Sequence, residues 1–153
     1  MVQPHQRDGN PWLTVDGRWA TGERLHADGL VSEVPCTACG YPTLSAHGRA
    51  HVCVVCHWKD DGSTRDQPDR PSEVNHGLTL REAAANVAQT GVSASPWDGM
   101  TRPEFFLPAV RAARDALMVA YDRLLADPLD AGARADVHSG RASVMRAIVN
   151  EMR

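Results

Sequence analysis

The chain has four cysteines, Cys36, Cys39, Cys53 and Cys56, set as two Cys-x-x-Cys pairs with thirteen residues between them. Two such pairs can present four thiolates to one ion in a tetrahedron, and Zn²⁺ accepts that set at roughly 2.3 Å per bond. The spacing predicts one structural Zn²⁺ per chain on Cys36, Cys39, Cys53 and Cys56, because closed four-thiolate sites hold structure more often than they do chemistry. Two other readings compete. Disulfides need an oxidising compartment, and the opening residues Met-Val-Gln-Pro-His-Gln-Arg-Asp contain no apolar run to serve as a signal peptide. A redox pair or an iron site is the third reading, but no acceptor helix or thioredoxin-like βαβ pattern surrounds either pair.

His47, His51 and His57 sit near enough in sequence to replace a thiolate in a Cys₃His site. Four cysteines already complete the tetrahedron, so these histidines read as loop residues or as outer partners of the ligands. Other catalytic patterns are missing. There is no Gly-rich phosphate loop, His-Glu-x-x-His or Gly-x-Ser-x-Gly. Pro35-Cys36-Thr37-Ala38-Cys39 matches half of a zinc-deaminase signature, but the chain has no His-x-Glu, and a second Cys-x-x-Cys would close the open position. His26 and His138 stand alone. The expectation is a protein that is not an enzyme.

Positioning such a site requires tight turns and a small core. The chain is 42% hydrophobic but only 5% aromatic, and much of the apolar share is alanine, so the core is thin and a metal staple is useful. The expected class is α+β: a small zinc ribbon with short β-hairpins and one capping helix, followed by a C-terminal α-helical hairpin. Residues 1–33 read as a polar tail and a short β-hairpin, since Asp16-Gly17 lies between Trp12-Leu13-x-Val15 and Trp19. Residues 34–93 hold the four-cysteine ribbon and its helix. Within them, Gly40 and the valines Val52, Val54 and Val55 suit a turn and a short strand, and residues 59–77 form a long polar loop. Thr79-Leu80-Arg81-Glu82 is a capping box that starts the helix, and Gly91 ends it.

Residues 94–103 read as a linker with Trp97 as an anchor, and residues 104–153 as a helical hairpin. Thr101-x-x-Glu104 could form a further capping box, and the regular helix starts near Pro108. Val110, Ala113, Leu117, Tyr121 and Leu124 form one apolar stripe, and Asp127-Pro128 stops that helix. Ala133, Val137, Val144, Ile148, Val149 and Met152 form the second, weakened in its middle by Gly140. Such a hairpin must dock on the ribbon, on a second copy as a homodimer, or on a partner.

Pro35-Cys36-Thr37-Ala38-Cys39-Gly40-Tyr41-Pro42-Thr43-Leu44, then Cys53-Val54-Val55-Cys56-His57-Trp58-Lys59-Asp60-Asp61-Gly62, then Asn75-His76-Gly77-Leu78-Thr79-Leu80-Arg81-Glu82-Ala83 resemble the bacterial cysteine-rich CPCC domain family, over about residues 34–93. The resemblance implies zinc binding. Some members occur beside bacterial toxin systems, so it also permits an immunity or interaction role. Two positions depart from the pattern: Ala38 stands where the family's name motif has a third cysteine, and Lys59 where an acidic residue is usual. The missing cysteine leaves a plain Cys₄ zinc site rather than a redox or multi-metal one.

Net charge is −3 and the isoelectric point about 6.1, which argues against a general grip on nucleic acid. No apolar stretch approaches the ~20 residues of a membrane span, so a cytoplasmic location is expected. The resulting expectation is a zinc-binding protein–protein interaction module, in its sharpest form an immunity or toxin-neutralising protein. The alternative is a nucleic-acid-associated zinc ribbon contacting its ligand through Arg65, Arg70 and Arg81, or through Arg111 and Arg114 on the first long helix, although those arginines read more simply as solvated faces with Asp and Glu interspersed. A metal-dependent enzyme ranks last. Asp60 and Asp61 read as turn residues before Gly62, against a second metal site or a contact for a basic partner.

Overall fold

Asn10 and Pro11 start a helix. The Asn10 side chain accepts the Trp12 amide hydrogen at 2.9 Å, and Pro11 occupies the first turn, where its missing N–H costs nothing. In the computed structural model, which describes residues 10–95 and 103–152, helix α1 runs over Pro11–Ala27. This corrects the β-hairpin expected within residues 1–33. Trp12, Val15, Trp19, Gly22 and Leu25 recur at three- and four-residue steps, so packing along a helical stripe prevails over the Asp16-Gly17 turn signal. Gly17 faces solvent in mid-helix, where glycine costs only about 1 kcal/mol.

Strands β1 (Val34–Pro35) and β2 (Pro42–Leu44) pair antiparallel around the first Cys-x-x-Cys, with Val34 opposite Leu44. A single bridge between Val52 and Lys59 does the same around the second. With helices, the fold is mixed α+β. Residues 59–77 are tied down. Asn75 binds the Lys59 backbone at both its N–H and its carbonyl, Ser72 pairs with Leu78, and Arg65 reaches across to α1.

Helix α2 (Leu80–Thr90) begins at the predicted capping box. Thr79 Oγ1 accepts the Glu82 amide hydrogen at 3.0 Å, and Glu82 accepts that of Thr79 at 3.1 Å. Gly91 closes it at φ +82°. Its buried face, Leu80, Ala83, Ala84 and Val87, lies against α1 and the ribbon.

Helix α3 (Pro108–Ala126) starts at Pro108 after a 3₁₀ turn over Pro103–Phe106, and α4 (Ala131–Glu151) is capped by Asp130. Gly140 does not interrupt α4. A Cβ there would sit 3.1 Å from Leu117 Cδ1, so the glycine lets the two helices approach closely. Trp97 and Thr101, and with them the anchor and the further capping box, lie outside the described residues.

The hairpin packs on the ribbon. One core runs from the cysteines through Tyr41, Leu44, Val55 and Trp58 to Val110, Leu117, Met118, Tyr121, Val144 and Ile148. Tyr41 and Tyr121 stack with ring centres 5.5 Å apart, and Tyr41 donates to Asp122 at 2.9 Å. Val149 and Met152, expected on the apolar stripe of α4, stay exposed. Among the described residues no helix is long and apolar enough to cross a membrane.

Candidate metal centre

Each Cys-x-x-Cys closes into a knuckle by the same two backbone hydrogen bonds. In the first, the Gly40 amide donates to Cys36 O at 2.8 Å and the Cys36 amide to Tyr41 O at 2.8 Å. In the second, the His57 amide donates to Cys53 O at 2.9 Å and the Cys53 amide to Trp58 O at 2.9 Å. Both turns need a left-handed residue after the second cysteine: Gly40 has φ +83° and His57 φ +65°. Both then bury an aromatic ring, Tyr41 or Trp58.

The structure brings Cys36, Cys39, Cys53 and Cys56 together. Their Sγ atoms lie within 4.8 Å of one another, and the Cys36–Cys56 and Cys39–Cys53 separations are both 3.7 Å. A tetrahedron with bonds of roughly 2.3 Å has edges of about 3.8 Å. A disulfide would need about 2.05 Å, so these are free thiols, spaced to hold one ion. All four are 0% exposed.

Burial pushes the Cys36 and Cys56 thiols well above the ordinary cysteine value. At Cys53 burial acts the same way, but hydrogen bonds from Cys36, Cys39 and Cys56 outweigh it and hold that thiol well below. Thr43 Oγ1 adds a hydrogen bond to Cys53 Sγ at 3.0 Å.

No histidine joins the cluster among the described residues. His47 bonds Pro35 O at 2.8 Å and stacks on Trp19, and His51 bonds Ser45 Oγ at 2.8 Å. His57 stacks on Phe105 with ring centres 3.9 Å apart and an interplanar angle of 10°. Burial, reinforced by Arg114, pulls its pKa down to about 4, so the ring is neutral and its Nε2 accepts from Arg114 at 3.3 Å.

Asp60 and Asp61 are turn residues. Asp60 is buried and accepts the amide hydrogens of Gly48 and Gly62, while Asp61 accepts from the Ser63 amide at 2.9 Å and the Ser72 hydroxyl at 2.6 Å. Gly62 turns the chain at φ +83°.

Arginines that sequence reasoning passed over, or placed on solvated faces, hold the knuckles from outside. Arg18 donates to Cys39 O at 3.2 Å, Arg65 to Thr37 O at 2.8 Å, and Arg114 to Val55 O at 3.0 Å. Arg141 donates to Tyr121 Oη at 2.8 Å and to Thr43 O at 3.4 Å. Arg65 also pairs with Asp16 and lies over the Trp12 ring. Arg81 pairs with Asp69. Arg114 is 0% exposed, and burial pulls its pKa down to about 10. A signal for Arg114 was present: it falls on the apolar stripe of α3, four residues after Val110 and three before Leu117.

Beside the second knuckle, Val52, Val54, Phe105, Met145 and Ile148 line an open groove of about 550 Å³, with His57, His138 and Arg141 at its walls. Val52 is 55% exposed and Met145 53%, so this apolar surface meets water.

No curated protein and no solved structure matches the chain. One family model does match, over the stretch that contains both knuckles, both strands and α2. Residues 34–104 of this chain fit the model of the family described as Cysteine-rich CPCC.

Proposed function

We propose that the protein is a zinc-stapled binding module: one Zn²⁺ on Cys36, Cys39, Cys53 and Cys56 holds the knuckles, and the surface built on them binds another protein. The observation that carries the metal reading is the pair of 3.7 Å Sγ separations among four fully buried thiols, which matches a tetrahedral thiolate shell. Zinc is favoured over other metals because it accepts four thiolates in that geometry and brings no redox chemistry of its own. A closed shell leaves no coordination position for a substrate, which supports a structural rather than an enzymatic role. A reducing compartment such as the cytoplasm keeps the thiols available.

The binding reading is supported by the apolar groove between the second knuckle and α4, where Val52 and Met145 lie exposed. A contiguous exposed apolar surface rimmed by polar groups is the kind that marks interaction sites and binding grooves. Its sharpest form remains neutralisation of a toxin, and that form requires a tight one-to-one complex that blocks the partner's activity. The nucleic-acid alternative has fewer arginines to draw on, since Arg65, Arg81 and Arg114 are engaged within the molecule.

The test is purification from the native host at low and high salt, with metal quantified in the same sample. One zinc per chain and a stoichiometric protein that stays bound at high salt would support the reading. Nucleic acid that leaves as salt rises would replace the binding half of it. Absence of any metal would overturn the zinc half.

A further inference from the structure

Arg114 is the one buried arginine among the described residues. It comes from α3, beyond the segment that matches the family model, and enters the core beside the second knuckle. Nε donates to Val55 O at 3.0 Å, between the two cysteines of that knuckle, and one terminal nitrogen donates to Phe105 O at 2.7 Å and to His57 Nε2 at 3.3 Å. None of the three acceptors is a carboxylate. The other terminal nitrogen, Nη1, is buried without a hydrogen-bond partner. Among the described residues no carboxylate lies within ion-pair distance of it. Cys53 and Cys56 flank Val55, whose carbonyl the guanidinium holds, and Asp115 is its neighbour on α3.

A buried cation is costly unless an anion lies close to it. Four thiolates around one divalent ion form a dianion, equally costly to bury alone. The two charges occupy the same core. We propose that Arg114 is the buried counter-ion of the occupied cysteine cluster, so that metal binding and docking of the α3–α4 hairpin stabilise each other. This rests on the metal reading above. It gives Arg114 a positioning role through charge: it touches the backbone of the knuckle and not the metal. Linkage makes the effect reciprocal: whatever the arginine adds to metal affinity, the metal adds to the stability of α3.

The test compares zinc affinity, by competition with a chromophoric chelator, in the full chain and in Arg114→Met, Arg114→Lys and Arg123→Met. Arg123 is exposed on the same helix and paired with Asp130 and Asp136, so it reports the loss of any surface charge. Melting of the metal-free and metal-loaded forms is followed in parallel. Arg114→Met is expected to weaken zinc binding about 10–100-fold, the range found when outer partners of metal ligands are removed. Arg114→Lys, which keeps the charge, is expected to recover most of that loss, and Arg123→Met to show none. The metal-free Arg114→Met protein should lose less melting temperature than the metal-loaded one, because both forms lose the hydrogen bonds of Arg114 but only the loaded form also loses the counter-ion.

Undiminished zinc affinity in Arg114→Met, with equal loss of melting temperature in both forms, would make Arg114 a plain structural tie and overturn the inference. If the methionine variant does not fold, the lysine variant decides: affinity near the parent's supports the counter-ion, and a drop as large as tenfold overturns it. A parent chain that binds no zinc sinks the metal reading itself, an outcome separate from failure of the counter-ion alone.

Discussion

After Cys39 the chain turns on Gly40 at φ +83°, and after Cys56 it turns on His57 at φ +65°. The backbone requirement is the same, and the residue differs because of what leans on each knuckle. Helix α1 crosses the first so closely that a Cβ on Gly40 would stand 2.7 Å from Val15 O and 2.7 Å from Arg18 Cβ. Only a residue without a side chain fits there. The second knuckle has room, and it uses that room to place an imidazole against Phe105 and Arg114. A histidine in the left-handed region carries about 1–2 kcal/mol of strain. The contacts it makes to the segment before α3 and to α3 itself offset that cost. One knuckle is thus sealed by backbone contact and the other by a side chain.

Several substitutions would break or sharpen this comparison. The largest effect should be the same at both knuckles. Cys36→Ser and Cys53→Ser each remove one of the four proposed ligands, and structural zinc contributes about 10–16 kcal/mol in small zinc domains. Both are expected to abolish stoichiometric metal and cooperative melting. A serine variant that melts like the parent without metal would show that one knuckle stands alone.

The glycine comes next. Gly40→Ala is expected to cost about 3 kcal/mol, from an unfavourable dihedral together with overpacking against α1. Gly62 has the same φ of +83° with nothing within 4 Å, so Gly62→Ala reports the dihedral cost alone, about 1 kcal/mol. Equal losses in denaturant titrations would mean that α1 does not press on the knuckle.

Tyr41→Phe should cost about 1 kcal/mol by removing the bond to Asp122, an effect confined to the first knuckle's aromatic ring. The smallest expected difference is between His57→Gly and His57→Ala. Both lose the ring, but glycine relieves the left-handed strain, so it should be the more stable by about 1 kcal/mol. An alanine variant as stable as the glycine one would remove strain from the account of the second knuckle.

The cysteine cluster could be read from the sequence because its information is local. A Cys-x-x-Cys pair sets its own turn, and two pairs have one economical way to share an ion. The capping box of Thr79 and Glu82, the stop at Gly91, the start at Pro108 and the stripe of α3 were legible for the same reason: each lies within a few residues of its partners. The turn roles of Asp60 and Asp61 were legible too. Residues 11–27 were misread because Asp16-Gly17 is a strong short-range hairpin signal, whereas the helical stripe from Trp12 to Leu25 gains its energy only when buried against the ribbon and α2. Asn10-Pro11 held the correct signal, an N-cap followed by proline in the first turn.

The sequence alone therefore determined the four-cysteine cluster, the two knuckle turns and the boundaries of α2 and α3. Tertiary structure decided what surrounds them: the helical hairpin seated on the ribbon, and Arg18, Arg65, Arg114 and Arg141 turned inward to the knuckles. Those arginines lie between 21 and 98 residues from the carbonyls they meet in and beside the knuckles. An arginine's sequence neighbours show whether it could face water. Only the packing of distant elements shows that it does not, because the cost of burying its charge is offset by groups that the fold alone brings within reach.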